Sequence, residues 1–495
     1  MVNFKKVMLA SAGGGSGSWM TQLLPTSTAY GSQFVPITRS IKCKFLSDNS
    51  VVDINQRGPS GASSRYTTMT KYTADGDLDT HVKVTDTSGI YLYDRGIMLW
   101  VDWNDNDTIY VAATSANANN IWIKSNSALS SFSWYKNGGT NSTYNGLTIV
   151  PNNGRMYARN GMNFDEITMS TGAAVDKRTG TASIAASTCG SENLYMGGYR
   201  QGAIGFSTSG KELVPAKLTG VGNYAFWDPR HKIGKSSSDR IQVAPSSVAS
   251  GFYTGASITG AYDLYAAGAK NSAASSTNDW YYIARFANSD GSLVSSKIIT
   301  PVVNSNGPYT STTDVRYGSI RALKVGSNGD VWAVAGQRTA KFTILHFSSN
   351  FTLQKALTFE RKGSHTSRPF SPFSNTHFYS SIDLSEDEEF LCLGSESGNG
   401  TYTGTMNIKL PSDLSLLDGE YDTPAKAAGV SGWTDDKLKV YDSTAYFTIT
   451  TPAYTEIGGL AYLTFTSSSM SQPASPTPTI GADAQFSIYG PQNLS

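Results

Sequence analysis

Short runs of alternating apolar and polar residues, each ended by a tight turn, recur along the chain. Residues 280–286 form one run, residues 288–291 a turn, and residues 293–299 a second run. The same order returns in residues 342–347 and 353–359. Two alternating runs about a turn rich in Gly, Asn and Asp predict an antiparallel β-hairpin. No stretch longer than about 12 residues keeps a helical apolar period, so long helices are not expected.

A second pattern precedes most of these hairpins: a polar turn, an apolar residue, an aromatic residue and then small residues. Residues 328–336 show it clearly, with Trp332 as the aromatic anchor. Bulky side chains would clash where strands crowd toward a narrow axis, so the small residues favour the inner strands of a ring. The pattern occurs seven times, with anchors at Tyr110, Tyr157, Tyr195, Tyr265, Trp332, Phe390 and Tyr446.

Each anchor is followed by an outer strand, and several are preceded by an entry strand, as at residues 97–103, 319–325 and 437–441. Four strands in each unit of roughly 40–70 residues are typical of a β-propeller. The sequence therefore predicts an all-β fold with extended N- and C-terminal arms. The predicted core is a single β-propeller of seven blades, with eight as the alternative count.

The two ends of the repeat array suggest how such a ring closes. The hairpin of residues 65–85 has no inner strand before it, and the last unit, residues 430–466, ends after one outer strand. We therefore expect the N-terminal segment to complete the last blade. The predicted organisation is an anchor with a Gly/Ser hinge at 1–18, an extended arm at 19–64, the propeller at 65–468 and a Pro-rich tail at 469–495.

Composition excludes two classes of partner. Charged residues make up 16% of the 495 residues, and the formal net charge is +1. Such a charge provides no field that would steer nucleic acid to the protein. No apolar run approaches the roughly 20 residues of a membrane-spanning helix. We therefore expect neither a nucleic-acid partner nor a membrane span.

The sequence does not single out metal ligands or catalytic groups. Cys43, Cys189 and Cys392 form no Cys-x-x-Cys pair. Cys189 and Cys392 sit next to or in predicted strands, so we interpret these two as small buried residues. The Asp/Asn turns at 75–77 and 102–107 lack the EF-hand pattern, and such turns before strands need only hydrogen bonding to explain them. No Gly-x-Ser-x-Gly elbow opens a helix. We expect no catalytic residue, no metal and no cofactor.

Glycan chemistry is the alternative hypothesis, because propellers can host it. Glycoside hydrolysis needs two carboxylates about 5–10 Å apart, and the sequence distinguishes no such pair. Two loops nevertheless combine aromatic, basic and histidine residues in a way that suits a glycan or phosphate ligand. The candidate ligand-binding residues are Trp227, Arg230, His231, His365 and His377. Exposed loops without a ligand are the competing interpretation for both.

The N-terminal segment predicts a docking arm. Its apolar and basic residues precede a flexible Gly/Ser hinge at residues 13–18, and an apolar tip on such a hinge cannot bury itself locally. We therefore expect it to dock on a partner protein. The candidate docking residues are Phe4, Lys5, Lys6, Val7, Met8 and Leu9.

Residues 3–15, Asn-Phe-Lys-Lys-Val-Met-Leu-Ala-Ser-Ala-Gly-Gly-Gly, resemble the leader of virion proteins from marine tailed bacteriophages. The Ser/Thr/Asn/Gly-rich propeller that follows is similar to their tail or fibre components. The resemblance implies a non-enzymatic virion protein with tail or capsid proteins as partners. Many copies would turn weak contacts with a host-surface glycan into avidity. The alternative is an extracellular lectin, lyase or hydrolase.

Overall fold

The computed structural model describes most of the chain in separate ranges. These are residues 17–25, 42–57, 66–86, 98–114, 120–138, 146–150, 154–160, 163–180, 183–189, 193–201, 211–218, 224–226, 230–234, 256–257, 264–269, 281–287, 293–311, 319–336, 341–363, 381–398, 403–457, 465–482 and 486–494. Within them the chain is almost entirely antiparallel β-strand.

The strands build consecutive antiparallel sheets, which we call blades. The first strand of the chain, β1 (Trp19–Pro25), precedes them and belongs to the last blade. Blade 1 holds β2 (Lys42–Phe45), β3 (Val51–Arg57), β4 (Tyr66–Tyr72) and β5 (Leu78–Asp86). Blade 2 holds β6 (Met98–Asp102), β7 (Thr108–Thr114), β8 (Asn120–Ser125) and β9 (Phe132–Gly138). Blade 3 holds β10 (Gly146–Val150), β11 (Arg155–Asn160), β12 (Asn163–Thr168) and β13 (Ala174–Gly180).

The remaining blades follow in the same order. Blade 4 holds β14 (Ser183–Cys189), β15 (Asn193–Gln201), β16 (Lys211–Leu218), β17 (Tyr224–Phe226) and β18 (Arg230–Gly234). Blade 5 holds β19 (Ala256–Ser257), β20 (Leu264–Ala269), β21 (Tyr281–Phe286) and β22 (Leu293–Pro301). Blade 6 holds β23 (Ser319–Val325), β24 (Val331–Gly336), β25 (Lys341–Phe347) and β26 (Leu353–Lys362). Blade 7 holds β27 (Ser381–Leu384), β28 (Phe390–Gly398) and β29 (Thr403–Pro411), with β1 as its fourth strand.

The blades are arranged in a closed ring. The first strand of each blade contacts the first strand of the next, and β27 of blade 7 contacts β2 of blade 1. The apolar cores lie between neighbouring blades, as where Leu357 of blade 6 packs with Leu391 of blade 7. Sheets that pack face to face around a common axis define a β-propeller. The predicted all-β propeller fold is therefore confirmed.

The C-terminal part of the chain encircles this ring. We call residues 419–494 the belt. It contains β30 (Gly419–Asp422), a short helix α1 (Pro424–Ala427), β31 (Lys437–Asp442), β32 (Phe447–Thr450), β33 (Ala453–Ile457), β34 (Phe465–Ser468), β35 (Pro478–Ala482) and β36 (Phe486–Asn493). A 3-10 turn, Thr444–Tyr446, precedes β32, and another, Trp103–Asp105, follows β6.

The belt passes the blades in reverse chain order. Its strands pair antiparallel with the outer strands of blades 6, 5, 4, 3 and 1, and β36 pairs with β1 of blade 7. At blade 2 the contact is a single antiparallel bridge between Asn137 and Ala474. Each described sheet thus receives an outer strand or bridge from one continuous segment. The belt covers outer edges that would otherwise expose unpaired backbone groups.

Several sequence expectations need correction. The hairpin of residues 65–85 does have inner partners, because β2 and β3 precede it in blade 1. The N-terminal segment completes a blade as expected, but that blade is 381–411 rather than 430–466. Residues 430–466 belong to the belt, and Tyr446 lies in its 3-10 turn. The regions expected as an arm at 19–64 and a tail at 469–495 contain β1–β3 and β35–β36, which pair into blades.

The other six aromatic anchors lie on or at the start of the second strand of a blade. Among the anchors whose side chains are described, Tyr110 and Trp332 are buried between blades. Tyr157 is also buried, and Phe390 is half-buried against the core between blades 7 and 1. Blade 1 escaped the sequence pattern because its second strand carries no aromatic residue. It carries buried Asp53 instead, which accepts hydrogen bonds from Asn55 and Tyr72 of the same blade and Asn407 of blade 7. This polar network adds hydrogen bonds to the interface between blades 7 and 1, where the rings of Trp19 and Tyr72 also lie 6.0 Å apart.

Candidate ligand site at the mouth of the ring

Charged side chains from three consecutive blades meet near the axis. Lys44 lies on β2, Lys324 on β23 and Asp383 on β27, each one residue before the end of the first strand of its blade. Because the first strands surround the axis, equal positions on them converge at one mouth of the ring. With Trp100 and Trp103 of blade 2, we call these residues the axial cluster.

One carboxylate serves two ammonium groups in the axial cluster. Asp383 Oδ1 accepts a hydrogen bond from Lys44 Nζ at 3.1 Å and from Lys324 Nζ at 2.6 Å. Its Oδ2 accepts the backbone N–H of Phe45 at 3.1 Å. The Asp383 side chain is 2% exposed, whereas those of Lys44 and Lys324 are 19% and 28% exposed. The carboxylate therefore forms the floor of the cluster and the ammonium groups its accessible part.

Two tryptophan rings flank the lysines. Lys44 Nζ lies 5.5 Å from the ring centroid of Trp100, and Lys324 Nζ lies 6.0 Å from that of Trp103. Both distances fall within the range of cation–π attraction. The indole N–H of Trp103 donates to the Phe45 carbonyl at 2.9 Å, which fixes the ring of a blade 2 residue against blade 1.

The hairpin turns beside the cluster are fastened to one another. The Ser327 N–H of blade 6 donates a hydrogen bond to Glu388 Oε1 of blade 7 at 2.6 Å. Blade 1 bonds blade 7 through Asn49 Nδ2 and Asp387 Oδ2, at 2.8 Å. Blade 1 also bonds blade 2, where Asp107 accepts both the backbone N–H and the hydroxyl of Ser47. Four consecutive blades thus present the cluster on a rigid frame.

Electrostatics follows from this geometry. Burial alone would raise the pKa of Asp383, but the charges and hydrogen bonds of Lys324 and Lys44 outweigh it and hold the pKa below its usual range. Burial, together with the charge of Lys44, lowers the pKa of Lys324 although Asp383 opposes the shift. Nearby, burial raises the pKa of Asp102 at the end of β6. The site therefore pairs a carboxylate that is held ionised with one lysine, Lys324, whose charged form is disfavoured by burial.

The structure describes only two of the sequence-predicted site residues. Arg230 and His231 lie on β18, the outer strand of blade 4, where the backbone pairs with the belt. Trp227, His365 and His377 lie outside the described residues. So do the predicted docking residues Phe4, Lys5, Lys6, Val7, Met8 and Leu9. The ligand-binding and docking assignments therefore stay predictions.

Sequence reasoning missed the axial cluster. A signal was present: Lys44, Lys324 and Asp383 each occupy the same position, one residue before the end of a short strand. It became meaningful only with the knowledge that these strands are the first of their blades.

Three further observations concern the cysteines, metal ligands and membrane-spanning helices. Cys43 and Cys392 are buried free thiols between blades 1 and 7, which confirms the interpretation of Cys392 as a small buried residue. Among the residues that the structure describes, no three His, Cys, Asp or Glu side chains group to hold a metal ion. Within the same ranges, no helix combines the length and the apolar character that crossing a bilayer demands.

Comparison with known proteins gives fold likeness only. No protein-family model matches the chain, and no curated protein does. Among solved structures, a GH93 α-L-arabinofuranosidase of Fusarium graminearum bound to arabinobiose has a TM-score of 0.41 and 13% identity, covering 80% of this chain and 98% of that one. The RRP9 WD40 repeats have a TM-score of 0.40 and 9% identity, and the match covers 79% of this chain and 99% of that one. The propeller domain of the Trilobed protease from Pyrococcus furiosus has a TM-score of 0.39 and 7% identity, and the match covers 78% of this chain and 99% of that one.

The class that the topology defines is therefore an all-β propeller with a C-terminal belt. Proteins with very different activities resemble this chain at similar TM-scores and identities, so none of their activities is transferred to it.

Proposed function

We propose that this protein is a non-enzymatic structural ring of a virion tail or fibre, held in a multi-copy assembly through its N-terminal leader. The fold supports a scaffold role, and the leader resemblance supports the virion assignment. Tail or capsid proteins are the proposed partners of the leader. An extracellular location is the alternative.

One observation carries the scaffold role: both ends of the described chain are fixed at the same blade. The Leu494 N–H donates to the Ser18 carbonyl at 3.0 Å, directly before β1. Strand β1 pairs with β29 on one side and β36 on the other. Tension on the leader would therefore fall on a buried central strand rather than on a sheet edge. Such an attachment suits a protein held by its N-terminus.

Deletion of the leader tests this proposal. A variant that starts at Gly17 keeps β1 and should retain the circular dichroism spectrum and unfolding midpoint of the full chain. It should no longer co-sediment with tailed particles assembled in the presence of either form. A full-length variant with Lys5 and Lys6 changed to Gln separates charge from apolar docking. Normal incorporation of the truncated chain would overturn the proposal.

A glycan-cleaving ring is the second candidate. The observation in its favour is a pair of acidic groups near the mouth whose pKa values move apart, Asp102 upward and Asp383 downward. Such divergence is how an acid and a base are assigned in glycosidases. Release of reducing sugar from bacterial surface polysaccharide, abolished in Asp102→Asn, would establish this candidate and remove the non-enzymatic proposal.

A further inference from the structure

The axial cluster carries an imbalance of charge. Lys44 and Lys324 bond the same oxygen of Asp383, so their two nitrogens lie no farther apart than those two bonds laid end to end. Two like charges at this separation repel each other, and one carboxylate balances only one of them. A purely structural ion pair needs a single lysine. The second lysine therefore requires another explanation.

Both ammonium groups keep hydrogen-bonding capacity. A lysine ammonium has three donors. Among the described residues, Asp383 Oδ1 is the one acceptor for Lys44 and for Lys324. The other oxygen of Asp383 is occupied by the Phe45 N–H. Among the described residues no further acceptor meets the remaining donors, which lie on the accessible side of the cluster, because the lysine side chains are partly exposed while Asp383 is not.

The surroundings strengthen an electrostatic contact there. The rings of Trp100 and Trp103 stand beside the two ammonium groups and exclude water from part of their surface. Interactions between charges grow stronger as the local dielectric falls. The fastened turns of blades 6, 7, 1 and 2 hold the lysines in place before any ligand arrives. A preorganised site loses less entropy on binding.

We propose that the axial cluster binds a small oxyanion group, such as a carboxylate or phosphate on an extended ligand, between the ammonium groups of Lys44 and Lys324. The oxyanion lies on the accessible side, opposite Asp383. Trp100 and Trp103 contact the part of the ligand that carries the group. This binding function goes beyond the scaffold role and does not depend on it.

Titration of the full chain tests the site. Sodium glucuronate presents a carboxylate on a sugar ring, inorganic phosphate presents the oxyanion without a sugar, and glucose is the neutral control. Binding is followed by calorimetry and tryptophan fluorescence. We expect saturable binding of glucuronate that weakens with salt, and none of glucose. Saturation by phosphate as well assigns recognition to the charge, whereas glucuronate alone assigns it to a carboxylated sugar.

Variants make the test specific. Lys44→Gln and Lys324→Gln should each weaken binding about tenfold or more, since each removes a charged donor. Lys71→Gln is the matched control: Lys71 lies on β4 of the same blade as Lys44, is 18% exposed and pairs with Asp79 at 3.0 Å. It should bind like the unchanged protein.

Asp383→Asn separates binding from stability. It removes the competing carboxylate, so folded protein should bind the oxyanion more tightly, an effect that a merely structural cluster would not show. Lys324→Arg keeps the charge and should retain binding even where Lys324→Gln folds poorly. The proposal is overturned by absence of saturable binding to both anions, by equal affinity for glucose, or by an equal loss in Lys71→Gln.

Discussion

Strand β1 and the middle of the belt make the same kind of contact with the ring but in very different surroundings. Both pair antiparallel with the edge of a blade. Every side chain described in β1 is buried, including Trp19, Met20 and Leu23. In β35 of the belt the side chains are exposed or only half-buried. Because burial of apolar area dominates stability, β1 closes the ring and β35 mainly covers an edge.

The ends of the belt differ from its middle. Near the start, Arg361 of blade 6 forms a fully buried bidentate pair with Asp436, with both N···O distances at 2.6 Å. Trp433 stacks near the same guanidinium, 5.0 Å from its ring centroid. At the far end, Leu494 is buried in the core between blades 6 and 7. The belt is therefore a strap fastened at two buried ends, and the predictions below test that description.

The largest effect is expected at the buried start of the belt. Asp436→Asn removes the carboxylate that balances the Arg361 guanidinium, and breaking a buried pair in this way costs about 3–5 kcal/mol. Urea unfolding measures the loss. The double variant Arg361→Met with Asp436→Leu should recover most of it, because apolar replacements avoid the buried charge. Equal stability of Asp436→Asn and the unchanged protein would mean that the belt start is not fastened here.

Truncation of an apolar side chain should separate β1 from the belt middle. Met20→Ala leaves a cavity in the core between blades 6 and 7 and should cost about 2–5 kcal/mol. Ile480→Ala on β35 is the matched change at a half-buried belt position and should cost about 0.5 kcal/mol. Comparable losses for the two variants in urea unfolding would remove the distinction between closure strand and cover.

A single added methyl group probes the same distinction more finely. A Cβ at Gly404 would fall on the Leu23 carbonyl oxygen, so Gly404→Ala should disturb the pairing of β1 with β29 at a cost of about 1–3 kcal/mol. At Gly138 the added Cβ would lie 2.8 Å from the Pro473 Cα. Gly138→Ala should therefore displace the belt locally and speed amide exchange at Asn137 and Ala474, with little global loss.

Gly481→Ala is the control for both, because nothing lies within 4 Å of its added Cβ. It should leave stability and exchange unchanged. Faster exchange in Gly481→Ala equal to that in Gly138→Ala would show that any change in the belt loosens it.

The smallest expected effect is on the stability of the protein at low pH. Burial would raise the pKa of Asp442 on β31, but hydrogen bonds from Lys355 and Thr444 outweigh it and hold the pKa below its usual range. A carboxyl group with a lowered pKa in the folded state stabilises above its unfolded value, and that stabilisation is lost as pH falls through the folded value. The stability difference between the unchanged protein and Asp442→Asn should therefore shrink below pH ~4. A difference independent of pH in urea unfolding would contradict the assignment.

Much of the blade architecture was readable from local pattern. The aromatic anchors of blades 2, 3 and 6 report second strands because those strands are buried on both faces, and burial constrains residue type strongly. Blade 1 was missed because its second strand buries Asp53, which accepts hydrogen bonds from Asn55 and, across 354 positions of sequence, from Asn407. A polar residue in a strand has no local sign of whether it is buried and bonded.

The belt and the axial cluster were not readable from pattern. Strand β35 and the Pro/Ser stretch before it bury little. Composition therefore marks the stretch near Ala474 as a spacer, although its backbone bridges to Asn137. The cluster forms because Lys44 and Lys324 both donate to one oxygen of Asp383, although the three residues are more than 50 positions apart in sequence. Their common register appears only when the ring fixes which strand comes first in each blade.

By itself, the sequence determined that the chain folds as short antiparallel strands with turns of Gly, Asn and Asp, and that aromatic strands recur between blades. Alternation and turn chemistry depend on neighbouring residues, so both can be recognised without knowing which strands pair. Tertiary structure alone decided which strand closes the ring, that the C-terminal segment wraps every described blade, and that Lys44, Lys324 and Asp383 meet at the axis. Those outcomes depend on pairing between distant segments, and backbone hydrogen bonding that joins strands is almost independent of side-chain identity.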